Sequence, residues 1–159
     1  FANHVLTENK LGITVSSAES LEDGLAAFMS AIDHLDKDAN EETTLLVFPN
    51  LFADFFEYLH YVEMAEKWLL MASYEGIYQL ATFHPDYLFA DVTGDDVSNY
   101  TNRSPYPMIH ILRETSLDQA IAFYGNTETI PEQNIQLMHR LGLDKIKQLI
   151  QLRDEYPHD

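Results

Sequence analysis

The chain has 159 residues, 46% apolar and 22% charged, a composition that fits one folded globular unit and excludes a disordered or collagen-like chain. It carries 26 acidic against 9 basic residues, a net charge of −17, so nucleic acid and anionic membrane surfaces are repelled and neither is an expected partner. Cysteine is absent, which removes disulfides, thiolate nucleophiles and Cys-based zinc sites from these residues, and no apolar run reaches the length of a membrane span. A single domain over 1–159 in the cytoplasm is expected, missing a short native N-terminal segment because it opens on Phe1 rather than Met.

In chain order, the β-branched run Leu11 to Val15 reads as a first strand. Leu21, Leu25, Phe28, Met29, Ile32 and Leu35 then recur at helical spacing, with Glu19, Glu22 and Asp23 at the end where the helix dipole favours acids, which gives a helix over 19–36. Thr43 to Phe48 is a strand apolar on both faces, and 51–73 carries so wide an apolar stripe, Phe52, Phe55, Phe56 and Trp68 included, that it predicts a central buried helix. Gly76 is expected to cap that helix in the left-handed conformation, before a strand over 77–83 ended by His84-Pro85. Residues 86–107 form a long aromatic loop, and 108–113 a fourth strand. Ser116 and Gln119 have capping-box spacing for a helix over 117–124 ended by Gly125; Pro131 opens a last helical stretch that kinks or breaks at Gly142. This order predicts an α+β, ferredoxin-like sandwich of four strands, mostly antiparallel, with the additional C-terminal helices covering the second face of the sheet.

Phe-His-Pro-Asp-Tyr at 83–87 and Asn-Tyr-Thr-Asn-Arg-Ser-Pro-Tyr-Pro at 99–107 are long strings of rare composition. With Glu42 to Pro49 and Ile130 to Asn134, they resemble the domain-of-unknown-function family 1415. Phe1-Ala2 is similar to the end of a Cys-Pro-Phe-Ala string of that family, so the resemblance implies a Cys-Pro just before Phe1. It supplies no activity.

Loops of this length in a compact domain are mostly functional or disordered, and Tyr87, Phe89, Tyr100, Tyr106 and three prolines predict an ordered one in which Asn99 and Asn102 bond the backbone. Arg103 is one of four arginines, and the stretch from Asp38 through Asn102 holds Lys67 as its sole cation. A guanidinium between Asn102 and Ser104 suits a carboxylate or phosphate; the alternative is an internal salt bridge to Asp91, Asp95 or Asp96. His84 and His110, at the end of one strand and within another, are read with Asp86 either as acid/base groups or as a two-His, one-carboxylate site for a divalent metal. Two functions follow. One is an enzyme for a compact anionic metabolite, with His84, His110 and Asp86 catalytic and Arg103, Asn102, Tyr100 and Ser104 binding; the other is a non-catalytic module that recognises a ligand or protein through the aromatic loop. The residues leave the cofactor and the oligomeric state open.

Overall fold

A computed structural model describes residues 2–124 and 129–154. A short helix α1 (Ala2–Thr7) leads into β1 (Leu11–Val15), α2 (Leu21–Lys37), β2 (Thr43–Val47), α3 (Phe55–Met71) and β3 (Tyr78–Phe83). A loop containing a 3-10 turn (Val97–Thr101) then connects to β4 (Met108–Arg113), α4 (Glu114–Tyr124) and α5 (Ile130–Asp154). The fold is α+β, with one four-stranded mixed sheet in the order β1-β2-β4-β3. β1 and β2 pair in parallel, while β4 pairs antiparallel with both β2 and β3. The split β-α-β unit formed by β2, α3 and β3 around β4 is the ferredoxin-like part, and β1 extends it by a parallel strand.

The caps explain where the two long helices begin. Ser20 accepts from the Asp23 amide and donates back to its carboxylate, and Asp54 accepts from the amides of Phe56 and Glu57. On one face of the sheet, Leu46, Phe48, Ile109 and Ile111 pack against Phe28, Ile32 and Leu35 of α2 and Tyr58, Tyr61 and Ala65 of α3. Each fully buried large side chain there contributes ~2 to 3 kcal/mol of transfer free energy, so this layer is the core.

Several expectations are corrected. Phe56 is 74% exposed and Leu70 and Met71 are exposed too, so α3 buries one stripe instead of its whole circumference, and Trp68 is half-buried at the margin against Phe28 and Tyr74. The left-handed residue after α3 is Ser73 (φ 65°); Gly76 (φ 75°) turns the chain into β3. α4 starts at Glu114, directly after β4, so Ser116 lies inside it and caps nothing; Gly125 lies outside the described residues. Gly142, at φ 73° and ψ 159°, breaks α5 as expected. α5 packs on the 3-10 turn. The second face of the sheet carries a groove of about 300 Å³ lined by Val5 and Leu6 of α1 together with Leu11, Leu45, Phe83 and Met108, so α1, which the sequence did not mark, covers part of that face. Among the described residues, no helix is long and apolar enough to cross a membrane.

Candidate functional site

β1, β2 and β3 run in one direction, so their carboxyl ends, the loops 16–20, 48–54 and 84–107, and the N-termini of α2 and α3 all gather at one end of the sheet. That is where ligands bind in sheets with parallel strands. The 84–107 loop is folded around Asn99, whose buried amide accepts from Phe89 N–H at 3.0 Å and donates to the Thr93 carbonyl at 2.9 Å. Its carbonyl accepts from the amides of Asn102 and Arg103, both at 3.1 Å. Asn102 donates through Nδ2 to the Thr82 carbonyl at 3.0 Å and accepts the His84 amide, tying the loop to the end of β3. The expected order of this segment thus has a concrete source in two asparagine amides and in the Tyr87 ring, which packs on Phe55 and Phe89.

His84 is fully buried against the rings of Phe55 and Tyr58. Its Nε2–H donates to the Phe52 carbonyl at 2.8 Å, and its Nδ1 accepts the Asp86 amide at 3.0 Å. Both ring nitrogens are engaged, and the bond to Phe52 requires Nε2 to carry the hydrogen. His110 lies on the opposite face of the sheet, lining the apolar groove with Leu45 and Phe83. The Thr43 hydroxyl spends its hydrogen on the Ile111 carbonyl at 2.6 Å, so the 2.6 Å contact between Thr43 Oγ1 and His110 must be donated by Nε2–H, leaving Nδ1 as the acceptor nitrogen. Burial pushes the imidazole down to about 4.

The pair of histidines is therefore not brought together. Alternation along the strands sends His84 to the helix face and His110 to the groove face, and the Asp86 side chain is exposed. The expected His84, Asp86 and His110 metal site does not assemble, and no cluster of three His, Asp or Glu side chains able to hold a metal occurs among the described residues.

Arg103 stays with the loop. Nε donates to the Tyr87 carbonyl at 3.3 Å, Nη2 to the Gly94 carbonyl at 2.9 Å, and the guanidinium lies 4.6 Å from the centre of the Tyr100 ring. No carboxylate of the described residues comes within ion-pair distance of it; Asp95 is bonded to Thr93, and Asp96 caps the 3-10 turn and faces His139 of α5 at 4.0 Å. The Ser104 hydroxyl donates to the Tyr106 carbonyl at 2.6 Å.

Two features escaped the sequence. A crevice of about 550 Å³ opens between the starts of α2 and α3, floored by Leu21, Leu51, Phe52 and Phe56 and rimmed by Glu19 and Glu57. Nothing in the spacing separates the exposed Phe56 from core phenylalanines such as Phe52. Arg113 is the other: it donates to the carbonyls of Leu35, Asp38 and Glu41 and to the Tyr78 hydroxyl, while Asp36 accepts from Tyr74 and Tyr78. The two tyrosine hydroxyls hold the Asp36 carboxyl below the usual carboxylate range. The signal available was the same scarcity of cations that singled out Arg103.

Fold and site together define an α+β domain with a braced loop and a crevice at the carboxyl ends of its parallel strands. The sequence profile of the family described as Protein of unknown function (DUF1415) matches residues 1–148, and the chain belongs to that family. Comparison with curated proteins and with solved structures finds no match.

Proposed function

We propose that the protein is a ligand-binding module that receives a small anionic group at Arg103, at the carboxyl end of the sheet. The observation that carries this reading is the state of the guanidinium. In a chain of net charge −17, it is half-buried, held by two neutral carbonyls and a ring face, and without a carboxylate partner among the described residues. Two carbonyl bonds leave the Nη1 hydrogens and one on Nη2 for a ligand oxygen, the fork that suits carboxylate or phosphate. Tyr100 beneath and Asn102 and Ser104 beside it fix the loop that presents the fork. Binding is favoured over turnover because the His84 ring is committed to Phe52 and Asp86 and His110 faces the other side of the sheet. The strongly acidic surface disfavours nucleic acid as the ligand.

Titration of the whole chain with inorganic phosphate and with succinate, followed by calorimetry and amide shifts, tests it. The expected result is saturable binding of one of the two, with shifts centred on 99–104, weakened at least tenfold by Arg103→Lys, which keeps the charge and loses the fork. Shifts spread over the surface, or binding indifferent to Arg103→Lys, would overturn the reading.

A further inference from the structure

β1 is an edge of the sheet, and among the described residues nothing pairs with its outer side. The Ser16 amide donates to the Val47 carbonyl and the Lys10 carbonyl accepts the Glu42 amide, so the even-numbered backbone groups of this stretch face β2. The N–H and C=O groups of Leu11, Ile13 and Val15 therefore point outward. Their side chains lie on the groove face, where Ile13 is 64% and Val15 65% exposed.

Edge strands normally carry a device against pairing with another chain: a charge, a proline, a bulge or a covering segment. β1 has no charge and no proline, and its register with β2 runs without a bulge. The opposite edge is different. β3 is flanked by Glu66, Glu75 and Glu114, which repel a second copy of so acidic a chain. From Leu11 to Ala18 there is no charged residue, and the Glu41 carboxylate beside Gly12 lies on the helix face and is mostly buried, so the groove side of β1 sets no like charges against each other when two copies meet.

We propose that β1 is a self-association edge, in which two copies pair antiparallel about a two-fold axis through Ile13. The strand is self-complementary in that register. Ile13 opposes Ile13 of the partner subunit, Leu11 opposes Val15 of the partner subunit, and each opposed pair exchanges two backbone hydrogen bonds using the outward groups. All the opposed side chains fall on the groove face, so the exposed Ile13 and Val15 gain cross-strand partners and the two sheets become continuous. A pairing this short buries less than a standard interface, which makes the dimer weak, and the like charge of the two bodies makes it tighten with added salt.

Sedimentation equilibrium and cross-linking of single-cysteine variants of the 159-residue chain test the proposal, since these residues hold no cysteine that could interfere. Opposed residues of a hydrogen-bonded antiparallel pair have Cα atoms about 5.5 Å apart, within disulfide reach, whereas the two copies of residue 15 would lie about 13 Å apart along the strands. Ile13→Cys should therefore cross-link under mild oxidation at least ten times faster than Val15→Cys, and Ile13→Lys, at an exposed position, should weaken association at least tenfold with its melting unchanged. A chain monomeric at about 1 mM in low and high salt overturns the proposal. So does association that survives Ile13→Lys, or equal cross-linking of the two cysteine variants.

Discussion

The His84 ring and the Phe52 carbonyl are joined by a 2.8 Å hydrogen bond that runs from the loop after β3 to the loop after β2. Phe52 sits at φ 63°, in the left-handed region that costs a residue with a side chain ~1 to 2 kcal/mol, and its ring stacks on Tyr61 at 4.3 Å. The bond and the stacking hold that conformation in place, so a residue first read as chemistry braces the floor of the crevice.

His84→Ala removes a fully buried ring and leaves the Phe52 carbonyl and the Asp86 amide without partners. Unfolding in urea should show a loss of ~3 kcal/mol, from the cavity and the unsatisfied groups together. A variant within 1 kcal/mol of the parent would contradict the bracing role.

His110 makes stability depend on pH. With its folded-state value at about 4 against 6.5 when free, the unfolded chain binds the extra proton between those limits. The contribution from keeping the ring neutral is complete above about pH 6.5 and is lost as pH falls towards 4, a change of about 3 kcal/mol. His110→Gln keeps a donor for Thr43 and removes the titration, so the difference in unfolding free energy between pH 7 and pH 4.5 should shrink in that variant.

Arg113 closes the carboxyl end of α2 by donating to the Leu35 carbonyl and to Asp38 and Glu41 beyond it. Arg113→Met should cost ~2 to 4 kcal/mol by leaving those carbonyls unpaired, and Arg113→Lys should recover part of that, because an ammonium cannot span the same acceptors. Equal stability of the Lys variant and the parent would show that charge alone suffices.

Ser73, exposed and left-handed at φ 65°, is a local misfit after α3. Ser73→Gly should raise the unfolding free energy by ~1 kcal/mol, since relief of the side-chain strain exceeds the entropy glycine adds to the unfolded chain. Thermal unfolding of the variant reads this directly.

The strands and the two long helices were legible because apolar period and punctuation agree: Leu11 to Val15 and Met108 to Arg113 fall where the β-branched runs put them. α1 was not legible, since six residues hold no period; among its described side chains the buried one is Val5. The loop was legible as an ordered unit from its asparagines and aromatics. Its histidine was not, because whether His84 faces His110 depends on the register between β3 and β4, and a shift of one residue reverses the answer. The separation of charge was half legible: the scarcity of cations marked Arg103, while Arg113 at the end of a strand gave no hint that it reaches back to α2.

The Tyr58 hydroxyl accepts the Phe83 amide and donates to the Met108 carbonyl at 2.7 Å, standing between two residues that are opposed in the β3–β4 register. A side chain of α3 thus completes the last rung of that ladder. The two strands are joined by the long 84–107 connection, whose closure is entropically costly, so this end of the hairpin is not expected to zip ahead of the helix. Folding at this corner couples helix docking to strand closure in a single late event, and exchange of the Phe83 amide hydrogen should follow the detachment of α3 instead of fraying of the strand.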